Sequence, residues 1–321
     1  MVKFSVITGS LGNLGDRYTK SYKETISFED KLKRLNELEL LSGIEISQGE
    51  VEGLDVESVK RLIADNGIEI SAIGIDLTSY PQYKFGSITS KVASVREESI
   101  KKLKATVDFA KKLDVGLLNI WLGQDGFDYP FQADYKKQWE HAVVAFRECA
   151  DYDPNIKIAL ESKPREPRNR SFLDSTTMSL LVANAVDRPN VGVTIDVGHI
   201  LQDGRNMAQS VVLAHVHDKL FNLHINDNYS AWDDDMIVGS VHTIEFIELF
   251  YYLEKIGYDK WCAIDIFPFR ENSIMATNES LLYMDKFREL VKGIGHNNLD
   301  ACLQQEDVGS TIRLIREKIF I

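Results

Sequence analysis

Eight short apolar runs rich in valine and isoleucine, at residues 4–7, 43–46, 69–75, 116–121, 156–162, 191–197, 220–225 and 261–267, set the terms on which this chain can fold. Amphipathic segments of helical period lie between them, at 27–40, 56–66, 95–113, 134–152, 175–185 and 243–256. Short buried strands alternating with helices are the mark of βαβ units and a parallel sheet. Eight such units predict an α/β fold, a (β/α)8 TIM barrel, which accommodates a 321-residue chain as one core. No linker-like stretch or short internal repeat interrupts the order, so residues 1–295 are expected to form one barrel domain carrying the site. Residues 296–321, with apolar Ile312, Leu314, Ile315, Ile319 and Phe320 after a polar stretch, read as a C-terminal helical extension, packed on its own barrel or on a partner subunit.

Composition narrows the partners. With 49 acidic against 37 basic side chains the net charge is -12, which repels phosphate backbones and anionic lipid. A neutral or cationic small molecule fits better, and neither nucleic acid nor membrane is expected. The opening residues MVKFSVITGS lack the pattern of a signal peptide or spanning helix. Together with three cysteines lacking metal-type spacing, they predict a cytoplasmic protein.

In a barrel the reactive face is built where strands run into loops. Here four consecutive runs end in potential metal ligands: Glu161 in Leu-Glu-Ser-Lys163, Asp196 in Ile-Asp-Val-Gly-His199, His224 in Leu-His-Ile-Asn, and Asp265 in Ile-Asp-Ile-Phe. Each has a plainer reading alone, Asp196 as a helix N-cap and His224 as a core histidine. Three carboxylates gathered at one level are untenable unless protons or cations neutralise them. Three anionic oxygens and an imidazole suit Mn²⁺, Mg²⁺ or Co²⁺. His199, Asp233 and Asp235 offer a second site sharing Asp196, although Asp233–Asp235 alone reads as a solvated loop. Lys163 shares the face of Glu161 by strand alternation and can polarise a substrate oxygen or merely pair with the acids.

These segments, with Tyr80-Pro-Gln-Tyr-Lys-Phe85-Gly-Ser and Trp121-Leu-Gly-Gln-Asp-Gly, resemble the xylose isomerase-like barrel family, most closely its L-rhamnose isomerase branch. The resemblance covers residues 70 to 270. It implies two divalent ions per chain, Mn²⁺ foremost: a structural ion on Glu161, Asp196, His224 and Asp265, and a catalytic one on Asp196, His199, Asp233 and Asp235. It also implies Lys163 at the sugar O1, with Trp121, Tyr80 and Phe85 around the substrate and a homodimer or homotetramer as the assembly. The chain departs from xylose isomerases at Tyr80, where a histidine associated with ring opening is usual.

The implied reaction is aldose–ketose isomerisation of an open-chain sugar, a hydride passing between C2 and C1. The alternative is a single-metal ketose 3-epimerase with Glu161 and Asp265 as its acid/base pair. An abasic-site nuclease is disfavoured by the charge, and a barrel that binds sugar without catalysis is the fourth reading. Arg165, Arg168 and Arg170 can meet a phosphate group or form a solvated loop, so the substrate's phosphorylation stays open.

Overall fold

The computed structural model describes residues 2–51, 53–305 and 307–319. Phe320 lies outside them. Among the described residues ten strands form: β1 Lys3–Ile7, β2 Gly43–Ser47, β3 Glu69–Gly74, β4 Leu117–Trp121, β5 Gly126–Phe127, β6 Lys157–Glu161, β7 Arg170–Ser171, β8 Val191–Asp196, β9 Leu220–Ile225 and β10 Trp261–Ile264. Eight of them close a parallel barrel in the order β1-β10-β9-β8-β6-β4-β3-β2, β2 returning to β1. All eight predicted runs are therefore barrel strands. The last is shorter than predicted, ending at Ile264, so Asp265 stands just past its strand with its N–H still bonded to the Ile225 carbonyl at 3.1 Å.

The surrounding helices are α1 Phe28–Leu35, α2 Val56–Asp65, α3 Ala93–Lys112, α4 Tyr135–Tyr152, α5 Thr176–Val186, α6 Val197–Gln202, α7 Met207–Val216, α8 Thr243–Lys255, α9 Ser273–Ile294, α10 His296–Gln305 and α11 Val308–Ile319. Side-chain caps explain where several begin. Ser27, Asp55, Asp134, Ser175, Asn206 and Asn272 each accept a backbone N–H of the first turn, satisfying a donor with no intrahelical partner. The sequence reading omitted α6, α7 and α9. It missed α7 because Met207–Val216 is apolar on nearly every side and gives no polar-face signal. The C-terminal segment packs on its own barrel: α11 lies against α9, and Leu299 and Ile315 join the main core.

The apolar residues between barrel wall and helices form one large core. A separate small cluster of Ala72, Leu117, Ala159 and Phe221 fills part of the barrel interior. Lys157 and Lys260 lay their ammonium groups over the Phe221 ring, at 5.3 and 5.6 Å. Apart from it, the interior carries polar side chains on alternate positions, Glu45, Asn119, Thr194, Asn222 and His224, all buried. Among the described residues no helix is long and apolar enough to cross a membrane.

Candidate metal centre

Glu161, Asp196, His224 and Asp265 converge, each offering one ligand atom and all four atoms lying within 4.8 Å of one another. The first three are buried and Asp265 is mostly so, with 15% of its side chain exposed. Barrel register does this work: Glu161 pairs with Thr194, Asp196 with His224, and His224 with Ala263 in adjacent strands. Ligands held about 2.0–2.6 Å from a hard cation lie at most about 4–5 Å apart, the spacing found here.

His224 Nδ1 faces Asp265 at 3.4 Å, Glu161 at 3.5 Å and Asp196 at 3.9 Å. His199 Nδ1 faces Glu161 at 3.4 Å and Asp196 at 3.7 Å. Neither buried Nδ1 has a hydrogen-bond partner. Buried ring nitrogens are normally satisfied, so two aimed without partners into one knot of carboxylates fit a cation bound among them.

Asp196 does two jobs. Its Oδ1 accepts the His199 N–H at 3.0 Å, capping α6, while the carboxylate also takes the Asn226 amide at 3.2 and 3.3 Å. Cap and candidate ligand are thus one residue. Gly198 permits the approach, since a Cβ there would meet Asn226 Oδ1 at 1.7 Å. Glu161 is aimed by a relay in which Thr194 Oγ1 donates to Asn119 Oδ1 at 2.5 Å and the Asn119 amide donates to Glu161 Oε2 at 2.7 Å.

Without a cation, protons neutralise the cluster. Burial pushes the Glu161 carboxyl up, but His224, His199 and the Asn119 amide outweigh it and set the group at about 2. For Asp196, burial and the neighbouring Glu161, Asp233 and Asp265 prevail over His199, raising it to about 7. Burial disfavours the His199 cation, yet Asp196 and Asp233 lift it to about 9. His224 is lifted well above its ordinary value by Glu45 and Glu161 against the same penalty. Both imidazoles therefore hold protons that a cation must displace.

The residues expected at a second ion are placed beside this group. His199 Nε2 lies 3.0 Å from Asp233 Oδ2, to which Lys163 donates at 2.6 Å. Lys163 also stands 3.5 Å from Glu166 and 5.5 Å over the Trp121 ring. Burial disfavours its charge, but Asp233 and Asp235 raise its pKa. Asp235, in left-handed backbone at φ 48°, is pushed well up by burial and by Asp233 and Asp265. Tyr80 and Phe85 sit on the loop after β3. Tyr80 packs edge-on to Tyr83 under the Lys102 ammonium, and Phe85 is 67% exposed beneath Lys84. Arg168 is occupied with Asp128 at 2.6 Å, and Arg165 donates to the Gln202 carbonyl at 3.3 Å.

Four contributors escaped the sequence reading: Glu45, Asn119, Asn222 and Asn226. Each is a polar side chain in or just beyond an apolar strand run, as in Gly-Ile-Glu45-Ile-Ser and Leu-Leu-Asn119-Ile-Trp. That break in hydrophobicity was the available signal.

The sequence profile of the xylose isomerase-like TIM barrel matches residues 39–287. The chain belongs to the xylose isomerase-like TIM barrel family. Among its relatives is the xylose isomerase of Thermus thermophilus, 27% identical over 209 residues that cover 63% of this chain and 54% of that protein. The chain spans about half the length of the curated relatives it matches. Solved structures sharing the fold include an L-ribulose 3-epimerase at TM-score 0.73, 17% identical, covering 92% of this chain and 98% of that one. A D-tagatose 3-epimerase-like protein has TM-score 0.71 and 19% identity, with 90% of this chain and 100% of that one covered.

Proposed function

We propose that this member of the family is a metal-dependent aldose–ketose isomerase. The observation that carries it is the convergence of Glu161, Asp196, His224 and Asp265, with two partnerless imidazole nitrogens, beside Lys163 poised over Trp121. Glu161, Asp196, His224 and Asp265 would hold one divalent ion, and Asp196, His199, Asp233 and Asp235 a second. Bound there, the ions would supply Lewis acidity toward two neighbouring sugar oxygens.

The chain's own residues do the rest. Lys163 Nζ, kept charged by Asp233, stabilises negative charge growing on O1 and supplies a hydrogen bond to it. Trp121 gives the carbon face of the sugar an apolar wall that excludes water. As hydride passes from C2 to C1, the O2 hydroxyl loses its proton and O1 gains one, so that C2 becomes the carbonyl carbon and C1 carries the hydroxyl. Tyr80 and Phe85 shape the rim. Asp196 in Asp-Val-Gly-His199, where xylose isomerases carry Glu, and His224 as the seventh-strand ligand are the features that support the L-rhamnose isomerase side of the family.

A screen of aldoses and ketoses with Mn²⁺, Co²⁺ and Mg²⁺, products read by chromatography, tests the activity. In D₂O the product should carry almost no solvent deuterium; extensive incorporation would contradict hydride transfer.

A second reading, a ketose 3-epimerase using Glu161 and Asp265 around one ion, is favoured by a specific observation. Among the described residues one group of clustered ligands forms, while Lys163 occupies Asp233. Two Mn²⁺ equivalents per chain at saturation support the isomerase, and one supports the epimerase.

A further inference from the structure

Glu45 is an acidic side chain that reaches the candidate centre from across the barrel. It stands mid-strand in β2, separated from β9 by β1 and β10, and is 3% exposed. Its Oε2 lies 3.1 Å from His224 Nε2 and 3.3 Å from the Asn222 amide. The Glu45 carboxylate thus meets the ring nitrogen facing away from the acidic cluster, while Nδ1 faces Glu161, Asp196 and Asp265. Glu45 belongs to the layer behind the ligands: a carboxylate on Nε2 cannot also bind an ion held by Nδ1 of the same ring.

We infer that Glu45 is a positioning residue that fixes the tautomer and orientation of His224, so that its Nδ1 lone pair points at a divalent cation. The inference deepens the metal reading above and rests on it. A buried carboxylate accepting Nε2–H leaves Nδ1 as the only lone pair on the neutral ring. It also makes that nitrogen a more basic ligand. Asn222 takes the same Oε2 and holds the carboxylate against the ring, and burial beside apolar strand neighbours excludes water as a rival acceptor. Asn119 and Asn226 orient Glu161 and Asp196 similarly, but Glu45 alone among these supports is a carboxyl group rather than an amide.

The test is calorimetric titration of Mn²⁺ into wild type, Glu45→Gln and Glu45→Leu, with the Tm of each metal-free protein. Loss of a support behind a metal-bound histidine typically weakens affinity by about 10–100-fold. Glu45→Gln keeps an acceptor without the charge and should bind about tenfold more weakly at unchanged Tm; Glu45→Leu should be weaker still. Histidine ¹⁵N spectra of the Mg²⁺-loaded wild type should show Nε2 protonated on His224, a pattern lost in Glu45→Leu. Wild-type affinity in the isosteric Glu45→Gln overturns the inference and leaves the metal site standing, whether or not Glu45→Leu folds. A loss of affinity that only tracks a loss of Tm, with the His224 signals unmoved, also overturns it. Failure of the wild type itself to bind Mn²⁺ overturns both.

Discussion

Asp125 and the group around Asp196 are both buried acids near the barrel mouth, and they are satisfied in opposite ways. Asp125 is 1% exposed, yet its two oxygens accept four donors: Ser87 N–H at 2.8 Å, Ser87 O–H at 2.5 Å, Thr89 N–H at 2.8 Å and Thr89 O–H at 2.6 Å. Its backbone carbonyl takes the Phe172 N–H at 2.8 Å, so one residue clasps the loops after β3, β4 and β6. Around Asp196 the carboxylates of Glu161, Asp196 and Asp265 crowd together, and the two histidines that meet them leave Nδ1 without a hydrogen bond. Burial of an acid is therefore no sign of a cation by itself. Unspent ring nitrogens facing crowded carboxylates are.

The largest test of that contrast is Asp196→Asn, which keeps a capping side chain but removes a shared ligand. Mn²⁺ affinity and turnover should each fall by about 10³-fold or more, since metal catalysis supplies several kcal/mol. The metal-free Tm should hold or rise, because one crowding charge has gone. Asp125→Ala should do the reverse. Stranding buried N–H groups costs about 3–5 kcal/mol in denaturant unfolding, while the folded protein binds Mn²⁺ with wild-type affinity. Mn²⁺ at a hundred times its Kd should add about 2.7 kcal/mol to the wild type, roughly 4 °C in Tm for a chain of this size, and EDTA should reverse it.

The smallest effect is the pH dependence. His199 at about 9 and Asp196 at about 7 both stand above their ordinary values, so the metal-free fold binds protons the unfolded chain releases. The stabilisation from His199 is whole below about pH 6.5 and lost as pH rises through about 9; that from Asp196 is lost between about pH 4 and 7. Metal-free Tm should decline from pH 6 to 9. Mn²⁺ affinity should rise over the same range, by up to about tenfold per pH unit for each proton displaced, read by calorimetry in buffers of different ionisation enthalpy. Affinity that is flat with pH would break the link between protonated imidazoles and the cation site.

The fold was legible in the sequence because the eight barrel strands are buried on both sides and read as continuous apolar runs. Helix α7 was not, since its apolar residues run all round, and neither was the short pairing of β5 with β7, whose two-residue strands carry no periodicity. At the site, Glu161, Asp196, His224 and Asp265 stood out as charged ends of four successive strands. Glu45 escaped because its strand offers no clustered partner in sequence: 179 positions separate it from His224. Asp125 escaped differently, its donors lying 36 and 38 positions away in a loop of ordinary Ser and Thr. Contacts made across the barrel leave no local mark on the chain.

Anomalous diffraction from crystals grown with Mn²⁺ tests the cation site most directly. A peak bound by Glu161, Asp196, Asp265 and His224 Nδ1, with Asp125 bare of density, is the expected result. Crystals saturated with Mn²⁺ that show no peak among those four residues would contradict it.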